Sequence, residues 1–468
     1  MKKMFQQDKD DGCTVPWGPK PWPIVGNLIS LGRRPYETIY KWSKNPLYGP
    51  IFKLRFGSQT VVCLNSTKLI REALHENAEI FAGRPYLYMI NETLHGKGII
   101  SAPYGKDFNE HKTFLVRNLN RFGRRRSSLE NACLEEVKIV AEKIRDQHQT
   151  KSFSMGQFLS EISCNNICTI TMGRYFDSAK IGRFLGKINE NFNQTATIAS
   201  FNFLPFTRWF QKKLFQNVAD CAQFVQTLIK ERETDFDEQS ITNIVDSYID
   251  NLKKQKIQSF SKENLDSLVQ DLFVAGTETV SNTLNWAIFY VTVHSDIQQK
   301  IQNEIDKVIG KERYPCIKDR MKMPYTEAAI LETMRCQCAG PILLPRSTTQ
   351  DILFCNYYIP KDTFILVNMW SVMKDETYWN EPNAFEPRRF LNDKQQIQNN
   401  HIAMMPFSVG KRACVGEAIA KTQLFLVFTS LLQRFEFRFM DDWKPKDLQG
   451  EPGITLRPPD CKYMARVR

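Results

Sequence analysis

Apolar and polar positions divide the 468-residue chain into a β-rich start, a long helical middle and a mixed C-terminal part. Two runs of strand composition, IFKLRF at 51–56 and TVVCL at 60–64, flank Gly57-Ser58-Gln59, which reads as a hairpin turn. An amphipathic stretch near Tyr36–Lys44 precedes them. From about 66 to 340 the apolar spacing is mostly helical and predicts helices over 66–76, 106–121, 127–147, 156–172, 212–233, 262–293, 295–309 and 325–338. The 262–293 stretch is apolar on several faces and opens with a Ser261…Asn264 start signal. It predicts a helix of about 45 Å through the middle of a domain, where a polar cluster needs a reason. After Pro341 come short strands and loops (PRSTT, ILFCN, TFILVN), then an irregular stretch at 390–413. A strong helix resumes at about 415–432, and the residues after it read as a strand pair.

The expected fold is therefore mainly α with a minor β-sheet region. No internal repeat, low-complexity tract or Gly/Ser-rich linker interrupts the chain, so 1–468 reads as a single domain. A polar tail at 1–15 leads into a Pro-rich strap at 16–27 (PWGPKPWPIVGN), expected to be extended and rigid.

Composition narrows the class. Hydrophobic residues at 42%, with 32 Phe, exclude a disordered chain. The net charge of +12 suits nucleic acid, an anionic membrane surface or an acidic protein. The charge is scattered and no nucleic-acid-binding motif is present, so nucleic acid is not an expected partner. Twelve cysteines in a chain of this size, with no secretory signal and no CxxC spacing, read as reduced thiols. Cys164 with Cys168, and Cys336 with Cys338, read as small core hydrophobes. The opening MKKMFQQDKDDGC is too polar for a signal peptide or a membrane span. The apolar TIASFNFLPF at 197–206 reads either as a buried loop or as a surface patch that dips into a membrane.

The most specific chemical signal is the run Phe407-Ser408-Val409-Gly410-Lys411-Arg412-Ala413-Cys414-Val415-Gly416. Two glycines bracket a cysteine in a loop that leads straight into a helix. The glycines permit tight turns close to a flat ligand. The first N–H groups of the helix point back at the sulfur and stabilise negative charge there. Coordination to a metal would keep the thiol deprotonated.

This segment resembles the haem-binding loop of the cytochrome P-450 family, F-x-x-G-x-R-x-C-x-G, and Phe407, Gly410, Arg412, Cys414 and Gly416 match every fixed position. The resemblance covers nearly the whole chain. The strap, NNICTITMGRYFD at 165–177, MPYTEA at 323–328 and PFSVGKRAC at 406–414 resemble the microsomal, family-2-like branch, with its drug-, fatty-acid- and steroid-hydroxylating members. It implies the P-450 fold, with haem b between the long central helix and the Cys-loop helix, and Cys414 as the axial ligand of the haem iron.

It also gives meaning to weaker signals. Glu332-Thr333-Met334-Arg335 alone would read as a surface ion pair on one helix face. The family carries E-x-x-R there and P-x-R-F at a place matched by Pro387–Phe390, implying a buried structural network of Glu332, Arg335 and Arg389. In the long helix, Ala275-Gly276-Thr277-Glu278-Thr279 resembles the family's oxygen-activation motif. Thr279 would then donate a hydrogen bond to bound oxygen and Glu278 would relay protons, with Ala275 beside the haem and a small residue opening an oxygen-sized notch. Val280 departs from the usual Thr or Ser. Where the family has W-x-x-x-R for a haem propionate, this chain has Phe108 and Lys112. Lys112 keeps the charge without the bidentate fork, and Phe108 cannot donate a hydrogen bond. Arg412 and Arg346 are the further propionate contacts that the resemblance implies.

The implied activity is insertion of one oxygen atom from O2 into a lipophilic small molecule: steroid, fatty-acyl or xenobiotic. Pocket candidates are the loop at 86–102, Phe201, Phe203, Ala275, Ile342 to Leu344 and Ile454, all but a few apolar. No G-x-G-x-x-G fingerprint follows a strand, so electrons come from a separate NADPH-cytochrome P-450 reductase, with cytochrome b5 a further partner. Lys411 and Lys421 are expected on a basic docking face. Two other readings keep the haem: an isomerase or dehydratase that consumes no dioxygen, and a haem-binding protein without turnover. The acid–alcohol pair argues against the first; only Phe108 and Lys112 point toward the second. Relatives carry a membrane helix ahead of the strap, where this chain has its polar tail. The expected location is the cytosolic face of the endoplasmic reticulum, through the 197–206 patch, with a soluble cytoplasmic protein as the alternative.

Overall fold

The structure, a computed structural model, describes residues 16–124, 128–148, 151–176, 178–194, 200–398, 401–440 and 448–468. The polar tail at 1–15 and the start of the 197–206 patch lie outside the described residues.

Strands β1 (Ile51–Phe56) and β2 (Gln59–Leu64) form the expected antiparallel hairpin. Its turn is shorter than predicted: Gly57 and Ser58 alone make it, and Gln59 pairs with Phe56. Gly57 sits at φ 59°, a conformation that needs no Cβ. The short C-terminal runs become β3 (Arg346–Ser347), β4 (Ile352–Phe354), β5 (Tyr357–Ile359) and β6 (Phe364–Val367). One sheet has the order β1-β2-β6-β3, with β2 and β6 parallel and β4-β5 a separate hairpin. The closing pair is β7 (Phe435–Phe439) with β8 (Tyr463–Val467), antiparallel.

The strap is only partly extended. It runs beside β1, where Lys53 N–H donates to the Trp17 carbonyl. It then folds back at Trp22–Gly26, and Gly26 bridges Phe56.

The long helix is Lys262–Val293, capped by the Ser261 side chain, which accepts from Asn264 N–H. Its closest neighbour is the helix Met155–Met172. Gly276 lets the two cross: a Cβ there would collide with the Ile167 side chain. This glycine therefore serves helix packing. Other predicted helices are observed at Lys106–Arg124, Ser128–His148, Lys212–Thr234, Ser295–Val308, Pro324–Cys336 and Glu417–Arg434. The stretch predicted as one helix over 66–76 is helical at Thr67–Arg71 and widens into a π turn at Glu72–Glu76.

Among the described residues four α-helices were not predicted: Tyr88–Leu94, Ser178–Gln194, Ile244–Lys253 and Met369–Met373. Ser178–Gln194 buries Ile181, Phe184, Leu185 and Ile188, a helical spacing that the sequence does carry. Ile244–Lys253 is capped by the Asn243 side chain, which accepts from Asp246 N–H. One buried apolar cluster runs from Leu31 to Ala465, so the strands at both ends of the sequence share a core with the helical middle.

Candidate active site

The Cys414 loop is closed by its own backbone: Cys414 N–H donates to the Phe407 carbonyl at 3.0 Å. Gly410 is at φ 79° and presses against the Leu74 carbonyl oxygen, which any Cβ would strike. Ser408, at φ 60°, takes a left-handed conformation without being glycine, and its hydroxyl accepts from Arg346 Nη2 at 3.2 Å. The helix starts at Glu417, and the Gly416 and Glu417 N–H groups face the Cys414 sulfur. Cys414 is surrounded by protein and yet accessible, so it borders an internal space. Burial raises its thiol pKa, while the two N–H groups lower it. The proton would be held until a metal displaced it.

The long helix packs against Glu417–Arg434, the helix that follows the loop, and it too carries accessible residues at its middle. Ala275 is exposed and Thr279 half-exposed, although most of the helix around them is buried. Thr279 Oγ1 donates to the Ala275 carbonyl at 2.7 Å. Glu278, next in sequence, points elsewhere: its Oε1 accepts from Asn282 Nδ2 at 2.8 Å and from Thr455 Oγ1 at 3.5 Å. Burial raises its pKa, and Asn282, Arg457 and Thr455 pull it down. Asn282 and Thr455 were not singled out from sequence. Asn282 had a usable signal, since it lies one turn after Glu278 on the same face; Thr455 arrives from the C-terminal segment and had none.

The buried network forms as expected. Arg335 Nε and Nη2 donate to the two Glu332 oxygens at 2.6 and 2.8 Å, and Arg389 Nε donates to Glu332 Oε1 at 2.9 Å. Glu386 N–H adds a further bond at 2.9 Å. Arg335 also binds the carbonyls of Met373, Pro382 and Ala384.

A second group of buried charges was only half anticipated. Arg412 donates to the carbonyls of Ala82, Ile99 and Ala102, with its guanidinium 3.8 Å above the Phe108 ring. Arg84 donates to the carbonyls of Ile100, Leu344 and Pro345. Arg346 is buried, and its Nε finds no protein partner. Burial, then mutual repulsion, lowers the Arg412 pKa to about 8 and the Arg346 pKa to about 9. Burial lowers that of Arg84 to about 10, with Asp271 opposing. Asp271, one turn before Ala275, accepts from Ile99 and Ile100 N–H; burial raises its pKa to about 7. Lys112 joins this group, but its Nζ donates to the Lys411 carbonyl at 2.5 Å. Buried cations outnumbering their acids call for an anionic ligand. The two carboxylates of a haem fit that deficit, and the partnerless Arg346 Nε fits one of them.

The pocket candidates divide. Leu344 and the 86–102 loop line a recess with Arg84, Leu87, Ile90 and Ile100. The loop carries an unpredicted helical stretch, Tyr88–Leu94. Phe203 packs on Phe56 and Phe364 of the sheet, and Phe201 on Phe215. Phe201, Phe203 and Leu204 are covered, and exposure falls on Phe206 (62%), Trp209 (73%) and Phe210 (80%). Among the described residues no helix is long and apolar enough to cross a membrane.

The family model described as Cytochrome P450 matches residues 16–465. The chain is 32% identical to Cytochrome P450 2U1 of Homo sapiens over 95% of its length and 88% of that protein. It is 33% identical to Cytochrome P450 2H2 of Gallus gallus over 96% of this chain and 94% of the relative. Cytochrome P450 2C16 of Oryctolagus cuniculus is 34% identical over 93% and 90%.

Proposed function

Because the chain belongs to the cytochrome P450 family of haem b monooxygenases, we propose that it hydroxylates a lipophilic small molecule at the space between Cys414 and Ala275. The haem, when bound, supplies the reductive activation of O2 and the transfer of one oxygen atom to substrate. The observation that carries this reading is a thiol and a helix-interior alanine, both accessible inside the molecule, beside a surplus of buried guanidinium groups.

The roles of the side chains follow from their surroundings. Cys414 would present its sulfur to the haem iron, steadied by the Gly416 and Glu417 N–H groups. Arg346, Arg412 and Arg84 would hold the haem carboxylates. Phe407 and Gly410 shape the loop, and Gly416 supplies an N–H that faces the sulfur. Thr279 keeps lone pairs free on an oxygen that already donates to Ala275, so it orders the polar end of an otherwise apolar space. Burial shifts the Glu278 carboxyl toward its protonated form, and it would relay protons from the side of Asn282 and Thr455. Glu332, Arg335 and Arg389 hold the Cys-loop side in place, away from substrate. Steroid-like, fatty-acyl and xenobiotic ligands all suit the apolar lining.

Electrons come from an NADPH-dependent reductase, with cytochrome b5 as a further donor. The two lysines expected on its docking face are both engaged, Lys411 with Glu79 at 2.8 Å and Lys421 with Glu417 at 2.6 Å. The exposed Arg117 and Arg121 on the helix Lys106–Arg124 are better placed to carry that face. A peripheral membrane contact, on the cytosolic face of the endoplasmic reticulum, is assigned to Phe206, Trp209 and Phe210 with exposed Lys212 and Lys213 beside them.

The test is reconstitution with an NADPH reductase and ligands chosen by their shift of the haem Soret band. Dioxygen-dependent product is expected, and Thr279→Ala should lower product per NADPH by about tenfold or more, leaving the thiolate-type Soret band of the reduced CO complex in place. Absence of that band in the wild-type protein would overturn the assignment of Cys414.

A further inference from the structure

We propose that Lys112 is a positioning residue for the Cys414 loop and not a ligand of the haem carboxylates. The inference rests on Cys414 as the haem ligand and concerns how its loop is held. Lys112 lies one turn after Phe108 on the helix Lys106–Arg124, and its ammonium donates to the main-chain carbonyl of Lys411, at 2.5 Å. That carbonyl belongs to the 3-10 turn Gly410–Arg412, three residues before Cys414.

The same turn is gripped from other sides. The Lys411 side chain pairs with Glu79. Arg412 spends N–H groups on three carbonyls and lays its plane on the Phe108 ring. Phe108 thereby takes part through its ring face instead of through a donor. Lys112 completes a brace in which one helix supplies a ring beneath residue 412 and an ammonium beneath residue 411. A charge-assisted hydrogen bond to a half-buried carbonyl is among the stronger ones a side chain makes.

The charges around the ammonium are consistent with this. Arg412, Lys411 and Arg346 all face it with like sign, and with burial they lower its proton affinity. The guanidinium groups of Arg346 and Arg412 are the better carboxylate holders, being planar forks.

The test uses the haem-loaded protein. In Lys112→Met, hydrogen-exchange protection of the Ala413 and Cys414 amides should fall about tenfold, and loss of the thiolate-type CO band on warming should quicken about tenfold. Haem transfer to apomyoglobin should change about threefold or less. Lys112→Arg, which keeps a donor within reach, should hold the loop's protection near the wild-type level. The proposal is overturned if Lys112→Met leaves loop protection unchanged while haem transfer accelerates, or if Lys112→Arg slows haem transfer below wild type, as a carboxylate fork would. Should Lys112→Met fail to load haem, the Lys112→Arg arm decides alone. Amide protection reports the brace directly, whereas a wild-type protein lacking the thiolate band would instead fail the reading of Cys414.

Discussion

Two sets of buried charge stand out in the molecule, and they are built on opposite principles. Glu332, Arg335 and Arg389 close on themselves: Glu332 and Arg335 are 0% exposed, and the side-chain N–H groups of Arg335 end on the Glu332 carboxylate, main-chain carbonyls or the Cys336 sulfur. Arg84, Arg346 and Arg412 do not close. They share main-chain carbonyls and one carboxylate, Asp271, and Arg346 Nε has no protein partner. A self-satisfied network belongs to the scaffold and stands without a ligand. An unsatisfied one is a binding site, because an outside anion lowers its energy more than any rearrangement within the protein.

The largest expected effect tests the closed network. Glu332→Ala strands two guanidinium groups, one fully buried, and should cost about 3–5 kcal/mol. Thermal unfolding of the haem-free protein would fall sharply or no folded protein would be recovered. The open cluster should answer in the reverse sense. Arg346→Met removes one of several mutually repelling cations, so the haem-free protein should be as stable as wild type or more so. Haem transfer to a scavenger should quicken about tenfold, equivalent to about 1.4 kcal/mol of binding. Equal losses of haem-free stability in both variants would erase the distinction between the sets.

The smallest effect is a pH dependence. The Asp271 carboxyl is raised to about 7 by burial, against about 3.9 for an exposed Asp. Between about pH 4 and 7 the folded haem-free protein holds a proton that the unfolded chain has lost, so this group's contribution to stability declines as pH rises through that window. Asp271→Asn should remove the decline, seen as a Tm difference from wild type that grows with pH. A Tm difference independent of pH would show that Asp271 is already ionised beside Arg84, and that the cluster is less short of anions than its geometry implies.

Legibility in the sequence tracked distance along the chain. Glu332 and Arg335 lie three residues apart on one helix, and Cys414 sits among fixed neighbours within a ten-residue loop, so both could be read from local spacing together with the family resemblance. The same holds for the long helix, whose cap at Ser261 and end at Val293 were placed correctly. The helix Ser178–Gln194 was missed although its spacing was present, because its apolar positions are separated by Gly182 and Gly186 and many polar residues. The packing role of Gly276 is set by contact with Ile167 of another helix, which no local spacing shows.

By itself the sequence determined the helical middle, the hairpin, the thiol loop with its two glycines and the acid–alcohol pair, all of which arise from backbone periodicity and short-range spacing. Only the tertiary structure decided that Glu278 turns to Thr455, that Phe108 lies under Arg412, that Lys112 holds Lys411, and that Arg84 and Asp271 join Arg346 and Arg412 around one space. The physical reason is the partner. A helix or turn is satisfied by its own neighbours, but a buried charge is satisfied by whatever the folded chain brings within about 3 Å of it.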